Sequence, residues 1–296
     1  MKTLVTGSSG LVGTQIVKDL VRQNHEVISC YYEKKPEYGT PEKLDLKNSG
    51  NISTILKKHN PEYIIHLGAM TGVDLCEFEP DMAKNINSNA TKILGKEASK
   101  LGSFFVYVST DYVFDGTKPF SKENDSPNPL GVYGKSKLGG ENALNEMASS
   151  YCIARISSPF GLHESKKSFP LWIKENLDSK KEIPVLVDQY TSPTYVPNLS
   201  KMLIEITTRQ ISGIIHVSGA TRISRYEFAE LIAEKLDLDK KFLKPVNMNE
   251  MNWKAKRPID SSLDVSLATE ILNEKPQKID QSIELLIEQL KSIEKF

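Results

Sequence analysis

The sequence predicts an α/β fold, a doubly wound parallel sheet carrying a smaller C-terminal region. Three observations predict it. Short apolar runs alternate with segments of helical periodicity through the first half. The runs are apolar on both faces, as strands covered by helices on two sides must be. A glycine-rich turn joins the first run to the first helical segment, at the end of the sheet where ligands of such folds bind. Of the 296 residues 39% are hydrophobic, ample for one large domain or two coupled ones.

The elements follow in order. Leu4-Val5 lie in a strand that ends at Gly7, and Leu11, Val12, Ile16, Val17, Leu20 and Val21 then recur at helical spacing. Glu26–Cys30 reads as a second strand and Ile52–His59 as a short helix. Tyr63–His66 is a third strand, Pro80–Lys100 a long polar-faced helix, and Phe104–Val108 a fourth strand. Val132–Ala148 is helical and Tyr151–Ala154 is a fifth strand. Residues 1–158 are thereby assigned to the sheet domain and 159–296 to a second region. Beyond Arg155 the punctuation by Pro159, Gly161, Pro170, Pro184, Pro193 and Pro197 shortens the segments. Strands near 183–187 and 213–217 are expected to join the same sheet. Helices are expected at Asn198–Thr208, Tyr226–Leu236 and Ile279–Ile293.

Charge and cysteine usage narrow the function. Thirty-eight basic residues balance 38 acidic ones, which excludes a sequence-independent grip on nucleic acid. No apolar run approaches the roughly 20 residues that cross a bilayer, and the N-terminus enters a strand with no signal-peptide core. Cys30, Cys76 and Cys152 are far apart and form no C-x-x-C pair, so neither a disulfide framework nor a cysteine zinc site is expected. A cytoplasmic, reducing setting is the expectation.

Gly7-Ser8-Ser9-Gly10-Leu11-Val12-Gly13 has the chemistry of a dinucleotide turn. The first glycine permits the turn, the second lets a pyrophosphate approach the backbone, and the third allows close helix–strand packing. The helix N-terminus adds free N–H groups and the positive end of a dipole. The spacing is G-x-x-G-x-x-G, one residue longer than the usual dehydrogenase fingerprint. After the second strand, Glu33 suits a ribose 2′-hydroxyl, whereas Lys34 and Lys35 suit a 2′-phosphate; the lysines favour NADP(H), with NAD(H) the alternative. Asp45, in Leu44-Asp45-Leu46, is a candidate for the adenine edge.

Tyr133 and Lys137, in Val132-Tyr133-Gly134-Lys135-Ser136-Lys137, are four residues apart on one helical face. A phenol titrates near 10 and is a poor acid or base at neutral pH; a nearby ammonium is expected to bring it down. Thr110 stands where the fourth strand ends, and its hydroxyl is placed to donate to a carbonyl oxygen gaining charge.

These motifs, with His66-Leu67-Gly68-Ala69-Met70-Thr71-Gly72-Val73-Asp74 and Ser109-Thr110-Asp111-Tyr112-Val113-Phe114-Asp115-Gly116, carry a resemblance. So do Asn128-Pro129-Leu130-Gly131, Asp188-Gln189-Tyr190-Thr191-Ser192-Pro193-Thr194 and Arg257-Pro258. The chain resembles the extended short-chain dehydrogenases/reductases, most of all the dTDP-4-dehydrorhamnose reductase family, nearly end to end. The resemblance implies a Rossmann domain and a C-terminal substrate-binding region. It implies Thr110, Tyr133 and Lys137 as the catalytic trio, and Gly7, Ser9, Gly10, Leu11, Val12, Gly13, Leu46, Leu67, Gly68 and Ala69 around the cofactor. Val73, Asp74, Thr110, Asp111, Tyr112 and Arg257 would meet a dTDP-linked keto-sugar, Arg257 near its diphosphate.

Tyr112 separates the chain from the related 4,6-dehydratases, which place an acidic residue after the Thr-Asp pair. Two departures stand out. No Trp occurs in Arg155–Gly161, where the reductases carry one, and Gln15 replaces a metal-binding glutamate on the first helix, so no metal is predicted. The chain also resembles the regulatory beta subunit of methionine adenosyltransferase, which implies a non-catalytic alternative with a synthetase as partner. A related nucleotide-sugar epimerase is a third reading, and a homodimer through an exposed helix pair is the assembly such folds commonly form.

Overall fold

The computed structural model describes residues 1–147 and 150–293, so the Ala148 end of the helix expected from Val132 lies outside the described residues. Seven parallel strands make the central sheet. In chain order they are β1 (Lys2–Thr6), β2 (Glu26–Tyr31), β3 (Thr40–Lys43), β4 (Tyr63–His66), β5 (Phe104–Thr110), β6 (Tyr151–Ile156) and the strand Gly213–His216. Across the sheet the order is Gly213–His216, β6, β5, β4, β1, β2, β3. The order reverses beside β1, so the loops after β1 and β4 open a crevice at the carboxyl edge.

The sheet is covered on both faces. On one side Val12, Ile16, Val17 and Leu20 of the first helix (Leu11–Arg22) meet Leu199, Met202, Leu203 and Ile206 of the helix Val196–Arg209. On the other, Ile52, Leu56, Leu94 and Leu144 pack on Ile28, Ile64, Phe105 and Ile153. Each fully buried aliphatic side chain contributes about 1.5–3 kcal/mol, so the two faces make a continuous apolar sandwich the dominant stabilising element.

Three differences from the sequence expectation have physical causes. Ile183–Leu186 is a strand, but it lies outside the main sheet and pairs in parallel with Leu243–Val246. Its inward residues Ile183 and Val185 are buried against Phe228, Ile232 and Leu243, so a second core satisfies their apolar demand. β3 is an exposed edge strand containing Pro41, and lacks the apolar run that marks an internal strand. The long helix from Pro80 is interrupted at Asn85–Asn89 by a π-helical turn before continuing as Ala90–Leu101. The strand Gly213–His216 joins β6 as expected.

Candidate active site

A cavity of about 980 Å³ runs along the carboxyl edge from the glycine turn to the start of the helix Val132–Met147. At one end Gly7 adopts φ 66°, a left-handed conformation disfavoured for residues with a Cβ. A Cβ on Gly13 would lie 2.1 Å from the Gly7 carbonyl oxygen, so the first helix approaches the strand end only because that position is bare. Ser9, Gly10, Leu11, Val12 and Gly13 line this end with Gly7. Leu67, Gly68 and Ala69 line the facing wall. A Cβ on Gly7 would come within 2.8 Å of the Gly68 backbone nitrogen, so the two loops approach this closely only because Gly7 is bare.

Thr6 fixes that wall. Its Oγ1 accepts from the backbone N–H groups of Leu67 (3.1 Å) and Gly68 (2.9 Å), and it donates to His66 Nδ1 at 2.6 Å. His66 Nε2–H donates to Thr91 Oγ1, which donates to the Asn87 carbonyl in the π turn. Burial and the Lys137 charge hold the His66 imidazole well below its ordinary titration range, so it is a neutral strut rather than an acid or base.

The three residues expected to carry chemistry converge at the other end. Thr110 closes β5, Tyr133 and Lys137 stand one turn apart, and all three line the cavity. Lys137 Nζ donates to the Val108 carbonyl at 2.8 Å and sits 4.2 Å from the centre of the Tyr107 ring. Burial pushes its ammonium down to about 7. The Tyr133 phenol is pushed up by burial, an effect that nearby Thr110 opposes and that Asp111 and Tyr112 add to. This corrects the expectation that Lys137 lowers the phenol: desolvation wins, because Lys137 is itself buried and its charge is turned to Val108. Tyr133 is therefore a protonated phenol, a donor in waiting.

Asp111 lines the cavity floor but is not open to a ligand. It is buried, its carboxyl accepts from Thr110 Oγ1 (2.9 Å) and Ser157 Oγ (2.7 Å), and burial pushes its proton affinity up. Lys34, Asp45 and Leu46 also line the cavity, while Lys35 does not; Lys34 pairs at 2.7 Å with Glu164. Val73, Asp74, Tyr112 and Arg257 stand outside the lining. Asp74 accepts from the backbone of Lys254 and Ala255 and pairs with Arg257 at 2.7 Å, pinning the 254–257 loop. Arg257 stacks on Trp253 at 4.0 Å, and Tyr112 meets the Tyr133 ring edge-on at 5.9 Å.

Sequence reasoning missed the wall opposite the trio. Ser158, Phe169, Arg225 and Phe228 line it. Arg225 donates to Ser158 Oγ at 3.0 Å and faces the Phe169 ring at 5.4 Å. The signal for it was local: Ser224-x-x-Glu227 forms a capping box, which places Arg225 at the first turn of its helix. Lys47 was missed too; it lines the cavity and donates to Tyr32 Oη at 3.2 Å.

Comparison with known proteins places these features in a family. The model described as the RmlD substrate binding domain matches residues 1–292. The probable low-salt glycan biosynthesis reductase Agl14 of Haloferax volcanii is 31% identical over 271 residues, covering 90% of each chain. Methionine adenosyltransferase 2 subunit beta of Xenopus tropicalis is 32% identical over 273 residues, 90% of this chain and 80% of that one. The crystal structure of dTDP-4-dehydrorhamnose reductase from Bacillus anthracis in complex with NADP is 28% identical, with a TM-score of 0.87 over 98% of this chain and 100% of that one.

Proposed function

The chain belongs to the RmlD substrate binding domain family, and from that premise we propose that it reduces the 4-keto group of a dTDP-linked 6-deoxyhexulose to give dTDP-L-rhamnose. It is an NAD(P)H-dependent oxidoreductase. The observation that carries the reading is the convergence of Thr110, Tyr133 and Lys137 on the cavity that begins at the glycine turn. Gly7, Gly10 and Gly13, bare of side chains, form with Ser9 a cradle that suits a pyrophosphate against the helix N-terminus. Leu67, Gly68 and Ala69 would line the nicotinamide side, and Lys34 or Lys47 would meet a 2′-phosphate.

The reduced nicotinamide supplies a hydride to the carbonyl carbon. Tyr133 and Thr110 hold the carbonyl oxygen, and Tyr133, kept protonated by burial, gives its proton to the oxygen as charge develops there. Lys137 would bond the ribose hydroxyls and stabilise the phenolate left behind. Arg225, on the opposite wall, offers a guanidinium to an anionic part of the substrate. Mixing the protein with reduced cofactor and a dTDP-4-keto-sugar, and following the nicotinamide absorbance, tests the assignment. Loss of absorbance with a rhamnose product supports it; product without net cofactor change would point to an epimerase.

The likeness to methionine adenosyltransferase 2 subunit beta favours a second reading, a regulatory subunit in which the same cavity holds a structural cofactor. Recovery of a synthetase in a pull-down, with no cofactor consumption, would favour it.

A further inference from the structure

Thr110 has one hydroxyl hydrogen and more than one claimant. Its Oγ1 lies 2.9 Å from Asp111 Oδ1 and accepts from the Tyr112 backbone N–H at 3.2 Å, while a substrate oxygen beside Tyr133 would claim the same hydrogen. An ionised carboxylate is an acceptor and nothing else. Against such a group the Thr110 hydrogen is spent on Asp111, and none is left for a substrate oxygen.

The shell around Asp111 bears on which form it takes. Its Oδ2 accepts from Ser157 Oγ at 2.7 Å, and the Ser261 hydroxyl, which donates to the Tyr190 carbonyl at 3.4 Å, lies near enough to favour the ionised form. Ser157 Oγ lies 2.8 Å from Thr191 Oγ1, which lies 2.7 Å from Ser158 Oγ, the acceptor for Arg225. The Ser157 hydrogen points at Asp111, so those of Thr191 and Ser158 must follow in the same sense. The groups facing Asp111 are thus hydroxyls from β5, from the 157–158 and 191 segments and from Ser261, with the phenols of Tyr112 and Tyr133. Arg225 acts on it through space, without a direct hydrogen bond among the described residues. Among the described residues no ammonium or guanidinium pairs with the carboxyl at contact distance, and burial raises its proton affinity in spite of the hydroxyls.

We propose that Asp111 is a positioning residue that works as a neutral carboxylic acid, donating to Thr110 Oγ1 and thereby turning the Thr110 hydrogen to the substrate carbonyl oxygen beside Tyr133. The hydrogen count then closes. Thr110 Oγ1 accepts twice, from Asp111 and from the Tyr112 N–H, and donates once, to the oxygen that gains charge. Asp111 Oδ2 still accepts from Ser157. When Asp111 ionises, the Thr110 hydrogen returns to the carboxylate, and the oxygen loses one of its two donors. The proposal rests on the reductase reading.

The test separates the two. Infrared difference spectra of wild type against Asp111→Asn, recorded without substrate, should show a protonated carboxyl band at neutral pH that vanishes in the variant. Its absence would overturn the proposal whatever the protein reduces. The band without any turnover of a keto-sugar would leave Asp111 neutral and sink the reductase reading alone. Kinetics then test the consequence. An asparagine amide also donates to Thr110, so Asp111→Asn should keep at least about tenfold more turnover than Asp111→Ala, which should lose about a hundredfold in kcat, the usual cost of an oxyanion donor. The wild-type kcat should fall with rising pH as two groups, Lys137 and Asp111, lose protons, and Asp111→Asn should show one ionisation. An asparagine variant as slow as the alanine one, or with two ionisations, overturns the role. If Asp111→Ala fails to fold, the infrared band and the asparagine profile still decide.

Discussion

At the scale of single residues, burial sets the chemistry of the cleft more than charge pairing does. Tyr133 is held protonated, which suits a group that must give a proton to a new alkoxide. Replacing it with phenylalanine should lower kcat at least about a hundredfold, with little change in cofactor affinity measured by fluorescence titration. Undiminished turnover would remove Tyr133 from the mechanism. Lys137 carries the opposite consequence of the same burial. Its folded value of about 7 lies far below that of a free lysine, so the ammonium is lost as pH rises through neutrality. Activity that depends on the charged form should decline above about pH 7. A guanidinium does not deprotonate in this range, so Lys137→Arg, even at reduced rate, should lose the part of that decline that belongs to Lys137 and keep only the ionisation assigned to Asp111. A pH–rate profile with the same decline in the variant would assign it elsewhere.

At the scale of elements, the glycine turn is where sequence and geometry agree most closely. Gly13 has no room for a Cβ, since the Gly7 carbonyl oxygen would lie 2.1 Å away. Gly13→Ala should push the first helix off the end of β1 and abolish cofactor binding in calorimetry, whereas Gly102→Ala, with nothing within 4 Å of its added Cβ, strains only its own backbone at φ 68° and should leave cofactor binding intact. The alternation of apolar strands and helices was legible for the same reason that the sheet is stable: internal parallel strands must be apolar on both faces. β3 was not legible, because an edge strand with Pro41 and three exposed or half-exposed neighbours needs no such pattern. Ile183–Leu186 was legible as a strand but not in its pairing, which depends on Leu243–Val246, some sixty residues later in a chain whose local pattern carries no register. The trio was legible because each member follows a strand end or a helix start. Arg225 was not, since its place beside Thr110 and Asp111 in the cavity lining is made only when the C-terminal region folds back over the cleft.

At the scale of the whole molecule, a buried polar knot ties the β6 side of the sheet to the helix that covers it. Arg155 on β6 forms two bonds to Glu141 of the helix Val132–Met147, at 2.7 and 3.1 Å, with both side chains 2% exposed. Breaking that pair with Glu141→Leu leaves an uncompensated guanidinium, and should cost about 3–5 kcal/mol in urea unfolding. His216, from the last strand of the sheet, adjoins the knot. Its Nδ1–H donates to the Asp264 carbonyl, and its bare Nε2 faces Arg155 Nη1 at 3.5 Å. Burial above all, and then the guanidinium that a proton on Nε2 would confront, lowers the imidazole to about 3. The sign follows directly. Below the ordinary histidine value of about 6.5 the unfolded chain binds a proton that the folded chain refuses, so the stability from His216 is whole above that pH and is lost as pH falls toward 3. His66, lowered by burial and by Lys137, acts in the same direction. Each contributes up to about 1.4 kcal/mol per pH unit across its window. The urea midpoint should therefore drop steeply between pH 6 and 4, and His216→Gln should be less stable at neutral pH yet flatter on acidification. A variant whose acid slope equals that of the wild type would place the acid sensitivity outside this knot.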